Sequence, residues 1–111
     1  MSELAYNSAI TIAKKIRKRE ISSHEALEYF LARVEKLDKP INSVVTIDRE
    51  RAMKEARSAD AALSRGKIRG PLHGVPMTIK DSFQTEGMRT TSGAPELSDF
   101  IPKEDAWPVA R

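Results

Sequence analysis

Residues 70–81 have the sequence GPLHGVPMTIKD, a glycine- and proline-rich entry into a short apolar run that ends in Lys80 and Asp81. The apolar run, residues 75–79, predicts a β-strand, and Pro76 restricts it to a strand start or a sheet edge because proline has no N–H to donate. A lysine at the end of a buried strand is costly unless it is paired, neutralised or used in chemistry. Lys80 is therefore the first candidate for a functional residue.

Amphipathic helices are predicted on the N-terminal side of this stretch. Apolar residues at helical spacing predict a first helix over residues 4–19, and a capping box of Ser22 and Glu25 opens a second. Asp48 is expected to cap a third helix, whose narrow alanine-rich face indicates close approach to a neighbour. Gly66 is expected to end that third helix.

A second short strand is predicted at residues 44–47, which are all β-branched and mostly apolar. The predicted fold class is therefore α/β, with three helices plus two short strands. Residues 82–103 are expected to be mostly loop, and Asp105 is expected to be the N-cap of a further helix start.

Composition narrows the classes of function. With 111 residues, the chain is one domain or a part of one, and it contains no cysteine. We expect no metal site, and the glycines near Lys80 lack the spacing of a phosphate-binding loop, so no cofactor is expected. No signal pattern and no membrane-length apolar run is present, which predicts a cytoplasmic protein without a membrane partner.

One helix carries a cluster of basic residues. Its members are Lys14, Lys15, Arg17, Lys18 and Arg19, in a chain whose formal net charge is +3. Such a cluster is usually a solvated helix face, and no aromatic residues are interleaved with it. We therefore expect no nucleic-acid partner.

The chemistry of Lys80 has two interpretations. To act as a general base, this lysine must be neutral near pH 7, which burial among apolar residues favours. Asp81 would face the other side of a strand, because adjacent strand residues alternate between faces. From the residues alone, a strand-end lysine that reaches solvent is the simpler interpretation.

The same stretch resembles the amidase signature family. Residues 71–76 and 79–81, followed by Gly87 and Thr90-Thr91, agree with the family pattern in residue type and spacing. In that family the lysine that matches Lys80 is the base of a Ser-Ser-Lys triad. The resemblance thus implies a hydrolase of carboxamide C–N bonds in which Lys80 is the catalytic residue.

A set of supporting residues is expected around this lysine. Its members are Asp81, His73, Gly74, Thr90 and Thr91. Asp81 is expected to hold local backbone by hydrogen bonds, and His73 is expected to position the turn. The nearby serines Ser82, Ser92 and Ser98 are too close to Lys80 in sequence to match the family's two serines, and we expect them to be turn residues.

The resemblance also implies a fold and a domain organisation. Residues 1–111 would form the N-terminal portion of a single amidase domain with a mixed sheet flanked by helices. Within it, residues 1–66 would be the helical part and residues 67–111 the strand and loop that carry the signature lysine. We expect an N-terminal fragment that lacks both serines and is inactive alone. Its expected partners are a small-molecule amide and the missing C-terminal part of the same fold.

Two alternatives stay open at this point. One is the glutamine-hydrolysing A subunit of a tRNA-dependent amidotransferase, which has the same core and releases ammonia from glutamine. The other is a non-catalytic helical binding module that keeps the family's N-terminal sequence.

Overall fold

The computed structural model describes residues 4–111, so the first three residues of the predicted 1–66 part lie outside the described residues. The α-helices are α1 (Ala9–Arg17), α2 (Ser23–Leu37), α3 (Arg49–Ser64) and α4 (Trp107–Ala110), and two short 3-10 helices span Leu4–Tyr6 and Pro95–Leu97. The chain divides into two compact units. The helical unit comprises residues 4–42 and 49–76, and the loop unit comprises residues 43–48 and 77–111.

Helix α1 is shorter than the predicted helix over residues 4–19. Ser8 is its N-cap, and the Ser8 hydroxyl accepts a hydrogen bond from the Thr11 N–H at 3.1 Å. At the other end, Arg19 has a φ of 61°, its N–H donates to the Ile16 carbonyl, and the Glu20 N–H donates to the Lys15 carbonyl. This is a Schellman motif, with arginine in the left-handed position that glycine usually fills. Both ends of α1 are thus fixed by local hydrogen bonds.

Helix α2 begins with the predicted capping box, which the structure confirms. The Ser22 hydroxyl accepts from the Glu25 N–H at 3.0 Å, and the Glu25 carboxylate accepts from the Ser22 N–H at 3.3 Å. The Asp60 carboxylate of α3 adds two further bonds, accepting from the N–H groups of Ser23 at 2.7 Å and His24 at 3.1 Å. A negative charge at a helix N-terminus is stabilising, so Asp60 stabilises the start of α2. The two hydrogen bonds also link α3 to α2.

Helix α3 packs against α2 through small residues. Ala56, Ala59 and Ala62 are buried, which agrees with the predicted alanine-rich face. The helix ends as predicted at Gly66, which has a φ of 75° and donates its N–H to the Leu63 carbonyl at 2.8 Å. The Lys67 N–H donates to the Ala62 carbonyl and completes a second Schellman motif.

Two apolar clusters form the core of the helical unit. The first contains Leu4, Ile12, Ile16, Ile21, Ala26 and Leu63, with Tyr29, Phe30 and Val75 packed against it. The second contains Leu27, Leu31 and Ala56, with Ala52 and Met53 packed against it. The buried members of the first cluster are leucine, isoleucine and alanine, and those of the second are leucine and alanine, in keeping with the low aromatic content of 5%.

The two predicted strands, and with them a sheet, are absent from residues 4–111. Residues 44–47 and 75–79 form no β-ladder, so this part of the prediction is wrong. A strand exists only where a neighbour supplies ladder partners, which an apolar, β-branched run does not guarantee. The Val75 N–H instead donates to the Leu72 carbonyl in a turn, and the Val75 side chain packs on the helical core.

The loop unit is held by turns and by backbone contacts between distant residues. Thr90 and Phe100, and likewise Gly87 and Pro102, are joined by N–H to carbonyl bonds of 3.0 Å. The predicted N-cap of α4 is wrong, since Ala106 occupies that position. The Asp105 carboxylate is engaged elsewhere, because it accepts from the Glu86 N–H at 2.7 Å. No helix in the described part of the chain is long and apolar enough to cross a membrane.

Candidate functional site

Lys80 lies in the loop unit at the end of residues 77–80, which run without regular structure. Its side chain is exposed, and its Nζ donates to the Ser82 hydroxyl at 3.4 Å. This arrangement matches the simpler interpretation of the residue, a lysine that reaches solvent. The amine is therefore accessible to a reacting partner and already lies within hydrogen-bond distance of a serine hydroxyl.

Asp81 fixes the backbone next to this lysine. Its carboxylate accepts hydrogen bonds from both the N–H, at 3.1 Å, and the hydroxyl of Thr91. Its carbonyl accepts from the Ser92 N–H at 2.8 Å. Three bonds from Thr91 and Ser92 thus close a loop whose first end carries Lys80.

The electrostatics of Asp81 follow from these contacts. The Thr91 hydroxyl and then the Thr91 N–H hold the pKa of the Asp81 carboxyl below its usual value of 3.8. Partial burial opposes this shift, and the positive charges of Arg89 and Lys80 add to it. An ionised carboxylate only accepts hydrogen bonds, so Asp81 is suited to hold backbone and has no proton to give near neutral pH.

The adjacent threonines Thr90 and Thr91 are buried, and their hydroxyls form hydrogen bonds within the loop unit. The Thr91 hydroxyl, besides donating to Asp81, accepts from the Gly93 N–H at 3.2 Å. The Thr90 hydroxyl donates to the Met88 carbonyl at 3.0 Å. These bonds hold the loop that follows the lysine, so the role of both residues in this structure is to order backbone.

His73 belongs to the helical unit and lies under the end of α3. Its Nδ1 accepts from the Arg69 N–H at 3.0 Å, so the ring proton is on Nε2, which donates to the Ala59 carbonyl at 2.9 Å. The side chain is 9% exposed. Both ring nitrogens are occupied and the ring is buried, so His73 anchors the turn over residues 69–74.

Gly74, also in the helical unit, makes a close contact with the start of α2. Its φ is 77°, and an added Cβ would lie 3.1 Å from the Cβ of Ser23 and 3.3 Å from Cγ2 of Ile16. The Gly74 carbonyl accepts from the Ser23 hydroxyl at 2.6 Å. Both the backbone angle and the lack of a side chain are therefore required at this position.

Sequence reasoning gave no role to three residues that hold these turns. Asp60 caps α2 across 37 positions, Ser23 binds the Gly74 carbonyl, and Arg69 reaches back to the Ser58 hydroxyl at 2.9 Å. The one local signal was the position of Ser23 directly after an N-cap. Among residues 4–111, no group of three His, Cys, Asp or Glu side chains is arranged to hold a metal ion.

Comparison with known proteins gives one family. The family model described as Amidase matches residues 25–111. The A subunit of the glutamyl-tRNA(Gln) amidotransferase of Moorella thermoacetica is 42% identical over 109 residues, which cover 98% of this chain and 22% of that protein. Its counterpart of the same name from Lachnospira eligens is 42% identical over 111 residues, covering 100% of this chain and 23% of its own length.

A third relative has the same name as the first two. The A subunit of the glutamyl-tRNA(Gln) amidotransferase of Thioalkalivibrio sulfidiphilus is 46% identical over 100 residues, or 90% of this chain and 20% of that protein. The chain thus spans 20–23% of the length of these three relatives. The matched residues include the whole stretch from His73 to Thr91 that carries the candidate site. The chain belongs to the amidase family, the one whose signature its sequence resembles.

Proposed function

We propose that this chain is the N-terminal portion of a single amidase domain in the glutamine-hydrolysing subunit of a glutamyl-tRNA(Gln) amidotransferase. In this proposal the protein hydrolyses the side-chain amide of glutamine and releases ammonia for transfer to a tRNA-bound substrate. The reaction would take place in the cytoplasm and alongside a partner subunit. It requires a carboxamide substrate and a serine nucleophile.

One observation favours an amidotransferase subunit over a general amidase: the length of this chain over which the amidotransferase relatives are similar. The family model begins at residue 25, whereas two of the amidotransferase relatives match 98% and 100% of the chain. Those two matches necessarily include α1, which lies before residue 25, where the match to the family model begins. Similarity over α1 therefore supports the narrower assignment to the amidotransferase.

In the proposed mechanism, Lys80 accepts a proton from the nucleophile. A serine hydroxyl attacks the carboxamide carbon, and its proton passes through a second serine to Lys80. Ammonia leaves with that proton, and water then hydrolyses the acyl-serine ester. Both serines correspond to family positions other than Ser82, Ser92 and Ser98 of this chain. Support for the role of Lys80 is its match to the lysine of the family pattern and the anchored loop behind it.

A neutral Lys80 amine is the chemical requirement of this mechanism. An exposed lysine is a cation at neutral pH, and burial or neighbouring positive charge is what favours the neutral base. The lysine must therefore be covered in the working enzyme, by substrate or by protein. The Asp81 carboxylate is bound by the N–H and the hydroxyl of Thr91, and it forms no direct ion pair with Lys80.

The proposed function also changes the expected partners. The relatives carry a tRNA in their name, so the expectation that this protein has no nucleic-acid partner lacks support. A small-molecule amide remains the proposed substrate, and it is glutamine in this assignment.

The experiment that tests the proposal is a comparison of amide substrates. Ammonia release from glutamine, asparagine, an aliphatic amide and an aromatic amide is measured with the 111-residue chain and with the product of its complete reading frame. The proposal expects the complete product to prefer glutamine. A preference for the aliphatic or aromatic amide would instead establish a general amidase. A stable protein with no activity in either form would favour the binding-module alternative.

A further inference from the structure

The charges of this chain are divided unevenly along the sequence. Eight of the 19 basic residues, but only one of the 16 acidic residues, lie in residues 14–20 and 61–70. These two segments carry a formal charge of +7, and the remainder of the chain carries −4. The modest net charge of +3 therefore conceals a strongly basic portion of the helical unit.

The fold brings these two segments together. The Arg19 guanidinium, which follows α1, donates to the Leu63 carbonyl in the last turn of α3 at 3.0 Å. The same carbonyl accepts from the Gly66 N–H, so the Schellman turn that ends α3 lies against the turn that ends α1. Two segments 44 positions apart thus form one surface.

The basic side chains point outward from this junction. Ile12, Ala13 and Ile16 form the buried face of α1. At 100° per residue, Lys14 and Lys18 lie on the opposite face, and both are exposed. We define the basic surface as Lys14, Lys15, Arg17, Lys18, Arg65 and Lys67, of which Lys15 is partly exposed and the rest are exposed.

The basic surface has no internal neutralisation. The ion pairs of the helical unit join His24 to Glu28, Arg49 to Glu35 and Arg51 to Glu55, away from this junction. Within the described residues, no member of the basic surface forms an ion pair, and Glu20 is the one acidic residue in its two segments. Favourable interaction with helix C-termini accounts for the cations in the last turn of α1 and for those that directly follow α3, but not for the absence of acidic residues throughout residues 61–79.

We propose that the basic surface binds the phosphate backbone of the tRNA named in the proposed function, on which this inference rests. Positively charged side chains that replace condensed counterions supply most of the affinity for nucleic-acid backbones. Folded RNA is recognised largely through phosphates and shape, which requires no interleaved aromatic residues. The lack of aromatic residues on α1 argues against binding of single-stranded nucleic acid. Duplex RNA is therefore the polyanion that suits the basic surface.

The test measures binding of a labelled, unmodified tRNA(Gln) transcript by fluorescence anisotropy over a range of salt concentrations. The test variant carries Lys14→Gln, Lys18→Gln and Lys67→Gln. The matched control carries Lys36→Gln, Lys39→Gln and Lys54→Gln, which removes the same charge from exposed lysines of the helical unit. The control includes Lys36 in the last turn of α2, so it also reproduces the change at a helix C-terminus.

We expect the test variant to bind at least about tenfold more weakly, with the slope of log K against log salt reduced by about 2–3. The control is expected to stay much closer to the unmodified chain. Equal losses in both variants, or no tRNA binding by the unmodified protein, would overturn the proposal. So would binding to vesicles of anionic phospholipid in preference to the tRNA.

Three further measurements separate the possible causes of failure. Circular dichroism compares the helicity of both variants, and binding is repeated with the product of the complete reading frame in case the short chain folds poorly. Glutamine hydrolysis is measured on the same samples. Hydrolysis without tRNA binding at this surface overturns this inference alone, whereas tRNA binding without hydrolysis overturns the proposed function alone.

Discussion

The Asp81 carboxylate accepts hydrogen bonds from both the N–H and the hydroxyl of Thr91, and this pair closes the loop that begins beside Lys80. The two residues are ten positions apart and lie in the loop unit. Their contact orders backbone that has no sheet or long helix to hold it. Both the titration of Asp81 and the acid stability of the chain should therefore depend on Thr91.

Replacement of Thr91 by valine should raise the pKa of Asp81 toward its usual value. The hydroxyl is the largest cause of the lowered pKa, and valine keeps the shape while removing it. Carboxyl titration followed by NMR measures the effect. Thr90→Val is the control, since the Thr90 hydroxyl binds the Met88 carbonyl, and it should leave the Asp81 pKa unchanged.

The same pair predicts the pH dependence of stability. Because the folded-state pKa of Asp81 is lowered, its contribution is fully present above the unfolded-state pKa and is lost as pH falls through the folded value. Melts recorded below pH 3.8 should show a smaller acid-induced loss for Thr91→Val than for the unmodified chain. An identical loss in both proteins would show that this carboxylate does not contribute.

Replacement of Asp60 by alanine should destabilise the helical unit by about 1–2 kcal/mol, because loss of an N-cap costs about this much. Asp60 satisfies the N–H groups of Ser23 and His24, whereas Ser22 satisfies that of Glu25. Urea denaturation of Asp60→Ala and Ser22→Ala should therefore give the larger loss for Asp60. A larger loss for Ser22→Ala would mean that the long-range cap is the weaker one.

Two glycines with the same backbone conformation should respond differently to alanine. Gly66 and Gly74 have φ values of 75° and 77°, but of these two only Gly74 has close neighbours, the nearest being Ser23. The left-handed conformation costs alanine about 1–2 kcal/mol at either position, and overpacking adds roughly 1–3 kcal/mol at Gly74 alone. Thermal melts measure the difference. A background of Ser23→Gly should recover part of the extra loss, and equal losses at both glycines would contradict the contact.

Replacement of His73 by phenylalanine should destabilise the helical unit by about 1–3 kcal/mol, since it removes the hydrogen bonds that the ring makes with the Arg69 N–H and the Ala59 carbonyl. Replacement by glutamine should cost less, because its amide can still donate to the Ala59 carbonyl. Urea denaturation ranks the two variants. If phenylalanine were tolerated as well as glutamine, the two hydrogen bonds of His73 would have no role in stability.

The features that sequence reasoning predicted correctly depend on neighbouring residues. The capping box of Ser22 and Glu25 and the helix end at Gly66 are set within one turn of helix, so their signals are local. The bounds of α1 were missed at its start because Ser8 begins a new N-cap. The N-cap at Asp105 was wrong because its carboxylate binds a distant N–H.

The features that were missed or wrong depend on partners far away in sequence. The predicted strands at residues 44–47 and 75–79 require neighbouring strands that residues 4–111 do not supply. The contact of Asp60 with α2 and that of Arg19 with α3 join residues 37 and 44 positions apart, and no local pattern indicates them. For the candidate site, the family pattern identified Lys80. The exposure of its side chain could not be predicted, because exposure depends on residues that are distant in sequence.

The measurement that tests the central claim most directly is glutamine hydrolysis by Lys80→Ala and Lys80→Arg in the product of the complete reading frame. Lys103→Ala is the matched control, since it removes another exposed lysine of the loop unit. Loss of a general base lowers the rate by about 10²–10⁴-fold, and arginine cannot replace lysine because it stays protonated. The account predicts that loss for both Lys80 variants and a normal rate for Lys103→Ala. A normal rate in Lys80→Ala would contradict it.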